Sequence, residues 1–444
     1  MHIGLIALSG FRIMNRDLLT LGATLPAFVR RGEVIASLPS LGLLTVAGLT
    51  PPGHEVTYLE VDDLAELTDL PIFDLVGLSA LTARIDDAYA LAARYRALGI
   101  PVVLGGLHAT ACPEEALEYV DIVVTHGAEQ VWPHVVEDVA RGDWRPLYHG
   151  AQRGVFTTYY AQPRFDLLQR PVARMTIQTS RGCPRACDFC GASRLLTARF
   201  AQKPVDYVLE EITAMQQAFP RAFIEWADDN TFLDPRWSTA FLTAITPLGL
   251  SWFAETDVSI TDHPDVCDLL ASAGCRFLLI GFESPDAQAL HGIDPRNWKA
   301  RQAPKMQRVI DKLQDRGIGV IATFILGLDT HTPDTFPQIL DWVRASGVMQ
   351  ASYTVLTPFP GTPLAACLRR EGRLLAQRYW EQCTLFDVTY RPARMTVEEL
   401  EAGTAWLMAE TFGTAATGAR YRQMAYRRQA QRHDRLVRIQ RVES

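Results

Sequence analysis

Short apolar runs separated by amphipathic stretches organise the first 150 residues. Residues 3–7 (Ile-Gly-Leu-Ile-Ala) have the length and character of a buried strand, and residues 75–79, 101–104 and 122–124 repeat the pattern. Residues 54–60 (His-Glu-Val-Thr-Tyr-Leu-Glu) alternate polar with apolar and predict another strand. Between them, residues 42–49, 85–97 and 131–140 read as helices, the first ended by Pro51-Pro52-Gly53. Strands alternating with helices predict a parallel α/β sheet. Such open sheets take ligands beyond the carboxyl ends of their strands. The residues at those ends are Ser79-Ala80-Leu81, Gly105-Gly106-Leu107-His108 and Thr125-His126-Gly127-Ala128-Glu129.

A stretch rich in Gly, Gln, Thr and Tyr, from about 150 to 170, separates this series from a second one. There the pattern predicts strands at 174–179, 222–227, 251–256, 277–282, 319–326 and 351–356. Helices are predicted between them at 205–219, 237–244, 264–273, 305–316 and 335–345. Six such units are too many for a small sheet and too few for an eight-fold barrel, so a six-stranded partial barrel is expected. Polar residues sit at the strand ends where barrel enzymes keep their chemistry: Asp228-Asp229-Asn230, Glu255-Thr256, Glu283-Ser284 and, after the fifth strand, Gly327. Beyond residue 364 the chain reads as helix-rich, and Thr396-Val397-Glu398-Glu399 has the form of a capping box. The fold class expected is α/β. A Rossmann-like domain spans 1–150, a partial (β/α)6 TIM-type barrel 165–363 and a helical region 364–444.

Composition changes this picture little. At 444 residues the chain exceeds the size at which one core keeps growing, and 48% hydrophobic with 21% charged residues is ordinary for a globular protein. A net charge of −7 offers no field for nucleic acid. The basic stretch 420–441 reads as a solvated last helix, with a membrane-surface or partner contact as the alternative. No apolar run reaches the ~20 residues of a transmembrane helix, and the N-terminus lacks the basic start of a signal peptide. Eight cysteines, three of them clustered, point to a reducing cytoplasm. Cys112, Cys267, Cys275, Cys367 and Cys383 are scattered and read as buried small hydrophobes.

The clustered three are Cys183, Cys187 and Cys190, in the run Ser-Arg-Gly-Cys-Pro-Arg-Ala-Cys-Asp-Phe-Cys. Three thiolates on one loop hold three irons of a four-iron cubane. With no fourth cysteine nearby, one iron stays open to a substrate-like molecule. A zinc site or plain structural thiols are the alternatives, but zinc prefers four ligands in closed sites and no second pair is present.

With Phe189 just before the last cysteine and a predicted strand just ahead, this CxxxCxxC loop resembles the signature of the radical S-adenosylmethionine (radical SAM) superfamily. The resemblance implies a 4Fe-4S cluster whose open iron chelates S-adenosylmethionine. Reduction of the cluster then cleaves the sulfonium to a 5′-deoxyadenosyl radical. It also implies cofactor contacts. Phe189 adjoins the cluster, and Asp228 and Asp229 lie where the family meets the SAM amino group. Glu283 and Ser284 lie where it meets the ribose and carboxylate, with Glu255 and Gly327 at neighbouring strand ends. Arg199 matches an arginine before the following helix.

The first 150 residues resemble the cobalamin-binding domain that precedes the barrel in one subclass. The resemblance rests on residues 41–44 and 49–56, on Ser79, Leu81, Gly105, Gly106 and His108, and on Thr357 to Pro363 and residues 390–400 later in the chain. It implies that these strand ends surround the nucleotide tail of cobalamin, because a hydroxyl and two bare backbones admit a bulky group. Two departures stand out. Residues 9–15 contain no histidine to ligate cobalt from below, and His126-Gly127-Ala128-Glu129 has one carboxylate fewer than the usual pattern. A sheet kept only as scaffold is the alternative. The function implied is cobalamin-dependent methyl transfer to an unactivated carbon of a small-molecule or lipid-like substrate. The alternative is an oxidoreductase or cyclase without net methyl transfer. A one-electron reductant such as flavodoxin or ferredoxin is the partner implied. Trp380, Phe386 and Tyr390 suggest an apolar lid over the substrate, or simply packing of the C-terminal helices.

Overall fold

The computed structural model describes residues 1–8, 10, 12–21, 38–151, 160–169, 172–195, 200–413, 415–427 and 429. Arg199, the tail beyond 430 and most of the stretch between the two predicted series lie outside the described residues.

The N-terminal series folds into a six-stranded parallel sheet: β1 His2–Leu8, β2 Glu55–Glu60, β3 Leu75–Ala80, β4 Val102–Gly105, β5 Ile122–Thr125 and β6 Leu147–His149. The strand order is β2-β1-β3-β4-β5-β6, so the winding direction reverses between β1 and β3. A crevice opens at such a reversal, beyond the carboxyl ends of the two strands. Apolar runs cover both faces of the sheet. Ile3, Leu5, Ile6 and Leu8 of β1 are fully buried, as are Leu75 and Val76 of β3. The strand β6 is too short to carry a periodic signal. It pairs with β5 through Val123–Leu147, Val124–Tyr148 and Thr125–His149, and buries Tyr148.

The second series forms another all-parallel sheet. Its strands are β7 Arg174–Ile177, β10 Phe223–Trp226, β11 Trp252–Thr256, β12 Cys275–Glu283, β13 Gly319–Leu326 and β14 Gln350–Val355, in consecutive order from β14 to β7. A two-stranded antiparallel piece, β8 Ser180–Arg181 and β9 Ala201–Gln202, is inserted after β7. Alternate residues divide the sheet's two faces. Met175, Ile177, Ile224, Trp226, Trp252, Ala254, Leu278 and Ile280 are buried beneath the helices. Thr176, Glu225, Phe253, Glu255, Leu279, Gly281 and Thr323 point the other way and keep some exposure. A six-stranded open barrel thus has a packed outer face and an accessible, partly polar inner face.

The C-terminal region is helix-rich, as expected, but its helices are not continuous. Helices Pro363–Arg370 and Val397–Phe412 are present, and the second opens with the reciprocal Thr396–Glu399 capping box. Residues 371–396 instead run as a strap, with a 3-10 turn at Trp380–Gln382 and an isolated Leu374–Tyr390 bridge. Periodicity cannot find such a segment, because long-range contacts rather than a repeating face hold it. Tyr379, Trp380 and Cys383 bury themselves in the core of the N-terminal sheet's outer helices. Trp380 donates to Glu115 at 3.0 Å, and Arg378 pairs with Asp86 at 2.7 Å. Asp387 accepts from the backbone N–H of Met14 and Asn15 at 3.0 and 2.6 Å, which fixes the loop after β1. The described part of the basic tail packs on the barrel, with Met424 buried and Arg427 3.0 Å from Asp315.

Candidate active site

The cysteine loop leaves the carboxyl end of β7 and is held by the acidic end of β10. Asp228 accepts from the Thr179 and Ser180 amides, both at 2.7 Å, and from the Thr179 hydroxyl at 2.5 Å. Asp229 accepts from the Gly182 amide at 2.8 Å. Burial raises the Asp228 carboxyl to about 6, against the opposing pull of these donors. Both Asp228 oxygens are engaged in shaping the loop. The other Asp229 carboxylate oxygen has no hydrogen-bond donor among the described residues, and the residue is only half-buried.

Within the loop, Gly182 and Ala186 adopt positive φ values of 86° and 53°. Arg194 closes the turn by donating to the carbonyls of Ala186 and Cys187 and to Asp188. Cys183, Cys187 and Cys190 are free thiols. Burial pushes Cys187 up to about 12, while Lys299 pulls the other way. Unmetallated thiols in such a site are costly to ionise, and a metal cluster supplies the missing positive charge. Asn230 donates to the Cys183 sulfur at 3.8 Å and to Asp257 at 2.7 Å. Asp257 is held below the usual carboxylate range: burial opposes this, but Arg185 at 2.8 Å outweighs it. The Arg185 guanidinium in turn lies 3.7 Å from the centre of the Trp298 ring. Phe189 packs against the main core. This donor set, three thiols with an N–H donor on one sulfur and a buried ammonium nearby, suits an anionic iron–sulfur cluster.

The barrel's other strand ends divide into two kinds. Glu283 is buried at φ 63° and bound by Lys299 at 2.5 Å; the Lys299 ammonium also donates to the Gly281 carbonyl at 3.0 Å. Burial alone would lower Lys299, but the Glu283 carboxylate outweighs it and holds the ammonium above its ordinary value. Ser284 is fully buried and accepts from the Asp286 amide. The Gly327 carbonyl accepts from the Tyr390 hydroxyl at 2.5 Å, and a side chain at 327 would collide with that hydroxyl. Glu255 is different. It is exposed on the inner face, yet lies deep among protein atoms. Burial, followed by the charges of Asp229 and Glu225, raises it to about 7. Glu255 and Asp229 thus keep at least partly exposed carboxylates at the inner face, where Glu225 is instead paired with Arg174.

The N-terminal sheet presents its own edge. Ser79 and Gly105 are directly paired neighbours on β3 and β4, and Leu81 is 39% exposed beyond them. Gly106 has φ 101°, a conformation that other residues rarely adopt, and a Cβ there would lie 3.7 Å from the Ser79 hydroxyl. Its carbonyl accepts from Thr110, whose hydroxyl in turn accepts from the His126 amide. These residues sit together at the carboxyl ends of neighbouring strands. His108 does not share that exposure. It is 1% exposed, with Tyr89 and Trp380 edge-on to its ring and Glu115 at 3.6 Å. The ligand atoms of His108, Cys112 and Glu115 lie within 4.8 Å of one another. Glu115, however, already accepts from Trp380 and Tyr89 and lies 3.5 Å from Arg378, so protein donors neutralise it. This group staples the strap to the sheet. Trp380, Phe386 and Tyr390 are all buried in protein, which agrees with the packing alternative rather than the lid.

The two edges meet. Glu129, just past β5, pairs with Arg181 at 2.8 Å, and His126 Nδ1 donates to the Leu195 carbonyl at 2.9 Å. Sequence reading missed Arg181, Arg185, Asp257 and Lys299 as site residues. Arg181 and Arg185 stood inside the cysteine run itself, so their proximity was a usable signal; Asp257 and Lys299 gave none.

The radical SAM superfamily matches residues 177–343, and the B12 binding domain matches residues 29–136. A bacteriochlorophyllide d C-12(1)-methyltransferase of Chlorobaculum tepidum is 26% identical over 391 residues, covering 86% of this chain and 84% of the relative. A hopanoid C-2 methylase of Rhodopseudomonas palustris is 25% identical over 354 residues, covering 77% and 66%. The fold resembles TsrM of Kitasatospora setae, a radical S-adenosylmethionine methyltransferase solved with cobalamin and a [4Fe-4S] cluster. The TM-score is 0.62 at 17% identity, over 85% of this chain and 76% of that one. With the cysteine loop at the end of the first barrel strand and an open parallel sheet facing it, the chain carries a radical SAM domain and a B12-binding domain.

Proposed function

We propose that the protein is a cobalamin-dependent radical SAM methyltransferase acting on an unactivated carbon of a small-molecule or lipid-like substrate. The observation that carries this reading is the direct contact between β5 of the N-terminal sheet and the cysteine loop, at Glu129–Arg181 and His126–Leu195. A methyl donor and a radical generator have to reach the same carbon, and this packing brings their two edges together. Cys183, Cys187 and Cys190 would hold the cluster, and Glu255 and Asp229 would accept from the SAM ammonium. Ser79, Leu81, Gly105 and Gly106 would border the cobalamin tail. When bound, the cluster and SAM supply a carbon-centred radical, and cobalamin supplies the methyl group. The protein's own part is to position them and to keep water away. The two relatives are named for methylating bacteriochlorophyllide d and a hopanoid, which supports a large, mostly apolar substrate. No helix among the described residues is long and apolar enough to cross a membrane. A cytoplasmic setting and a flavodoxin- or ferredoxin-type electron donor complete the reading.

The test is anaerobic reconstitution with iron, sulfide and cobalamin, followed by reduction in the presence of SAM. Corrin absorbance retained through gel filtration, with both S-adenosylhomocysteine and 5′-deoxyadenosine formed, is the expected result. A protein that forms 5′-deoxyadenosine alone and retains no corrin is instead a radical SAM oxidoreductase or cyclase.

A further inference from the structure

The carboxyl end of β5 belongs to the B12-binding sheet, yet it grips the cysteine loop from both sides. Upstream of Cys183, the Arg181 guanidinium pairs with Glu129 at 2.8 Å and donates to the Gln178 side chain at 2.9 and 3.2 Å. Downstream of Cys190, the helix Gly191–Leu195 ends on a carbonyl held by His126 Nδ1 at 2.9 Å. His126 is at φ 60°, a conformation that costs a non-glycine residue energy, and its amide is tied to Thr110. Gly127 lies between the two contacts. A Cβ there would come within 2.5 Å of a Glu129 carboxylate oxygen and 3.1 Å of the Arg181 guanidinium. The backbone has therefore been left bare where the ion pair passes. Glu129 is 8% exposed, and an ion pair so enclosed fixes its partner more firmly than a surface pair does.

We propose that Glu129 and His126 are positioning residues for the iron–sulfur cluster. They belong to the cobalamin-binding sheet but act on the other domain's cysteine loop, setting how the cluster is presented to SAM. Glu129 acts through Arg181, two residues before Cys183, and His126 through the helix that follows Cys190. The single carboxylate left in His126-Gly127-Ala128-Glu129 is thereby accounted for: its partner is the loop arginine. This inference rests on the cluster-and-SAM part of the proposed function and does not require cobalamin to be bound.

The experiment uses the full chain, reconstituted anaerobically, as wild type, Glu129→Ala, Glu129→Gln, His126→Ala and Arg181→Lys. Three quantities are read: iron content, the change in the EPR spectrum of the reduced cluster on adding SAM, and KM and kcat for substrate-free formation of 5′-deoxyadenosine. Outer partners of a metal site typically change affinity or activity 10- to 100-fold. Glu129→Ala is expected to keep its iron, raise KM for SAM about ten-fold and weaken the SAM-induced EPR change. Glu129→Gln, which keeps a hydrogen bond without the charge, falls between it and wild type. Wild-type KM and EPR behaviour in a folded Glu129→Ala overturns the inference, even if its melting temperature falls. Should Glu129→Ala not fold, Glu129→Gln decides in the same way. A wild type without cluster signal or SAM cleavage would instead fail the proposed function itself, whatever residue stands at 129.

Discussion

At the residue scale, the buried ion pairs around the cysteine loop predict that few single changes there are neutral. Lys299 is enclosed and bound to Glu283 and the Gly281 carbonyl. Removing one partner leaves an uncompensated buried charge, at a typical cost of about 3–5 kcal/mol. Lys299→Met is therefore expected to lower the denaturation midpoint sharply, and Glu283→Gln added to it should recover part of the loss. Equal midpoints for the single and double variants would contradict the pairing. Glu255 differs, because its carboxyl is raised to about 7 and the residue is exposed on the inner face. If the ionised form accepts the SAM ammonium, SAM affinity should rise as pH passes upward through 7. Glu255→Gln should bind several-fold more weakly at pH 8 and flatten that profile, which equilibrium binding between pH 6 and 8 measures. His331 supplies a stability signal. It is 3% exposed, and burial lowers it to about 4 from an ordinary 6.5. The unfolded chain takes up this proton first, so stability present above 6.5 is lost as pH falls toward 4. The loss is about 3 kcal/mol at most. Urea titrations of wild type and His331→Asn at pH 7 and 5 should differ in their pH dependence, with the variant less acid-sensitive.

At the scale of elements, the strap of residues 371–396 does what neither sheet does alone. Trp380 sits in the N-terminal sheet's helical layer, while Tyr390 of the same strap holds the barrel's Gly327 carbonyl. Truncating a buried tryptophan costs about 3–5 kcal/mol. Trp380→Ala should therefore loosen the helices Ile85–Arg96 and Pro113–Tyr119 more than the barrel strands, as hydrogen exchange would report. Asp387→Ala is milder and more local. It removes the acceptor for two backbone amides, at about 1–3 kcal/mol. Exchange at Met14 and Asn15 should speed up with little change in the sheet strands. Unchanged protection there would mean that other contacts hold the loop after β1. These elements also mark the limit of sequence reading. The strands declared themselves by apolar runs, and Val397–Phe412 by its capping box. The strap has no period, and β6 is only three residues long.

At the scale of the whole molecule, the site is a meeting of two carboxyl edges rather than a property of either sheet. The sequence by itself determined the parts whose signal is local. These are the two strand–helix series, the six-stranded partial barrel, and three cysteines within eight positions that specify a cluster with an open iron. It also placed Ser79, Gly105 and Gly106 at adjacent strand ends, because parallel strands in sequence bring their ends together. The tertiary structure decided how the polar residues are used. Asp228 and Glu283 carry the same charge and both stand at strand ends, yet one shapes the cysteine loop and the other is bound by a lysine 16 residues away. Asp387 reaches the loop after β1 from 372 residues away, and Glu129 meets Arg181 across the boundary between sheets. The physical reason is one of range. Periodicity and ligand spacing act over a few residues and are written in the chain, whereas the pairing of a buried charge depends on which distant group the fold delivers to it.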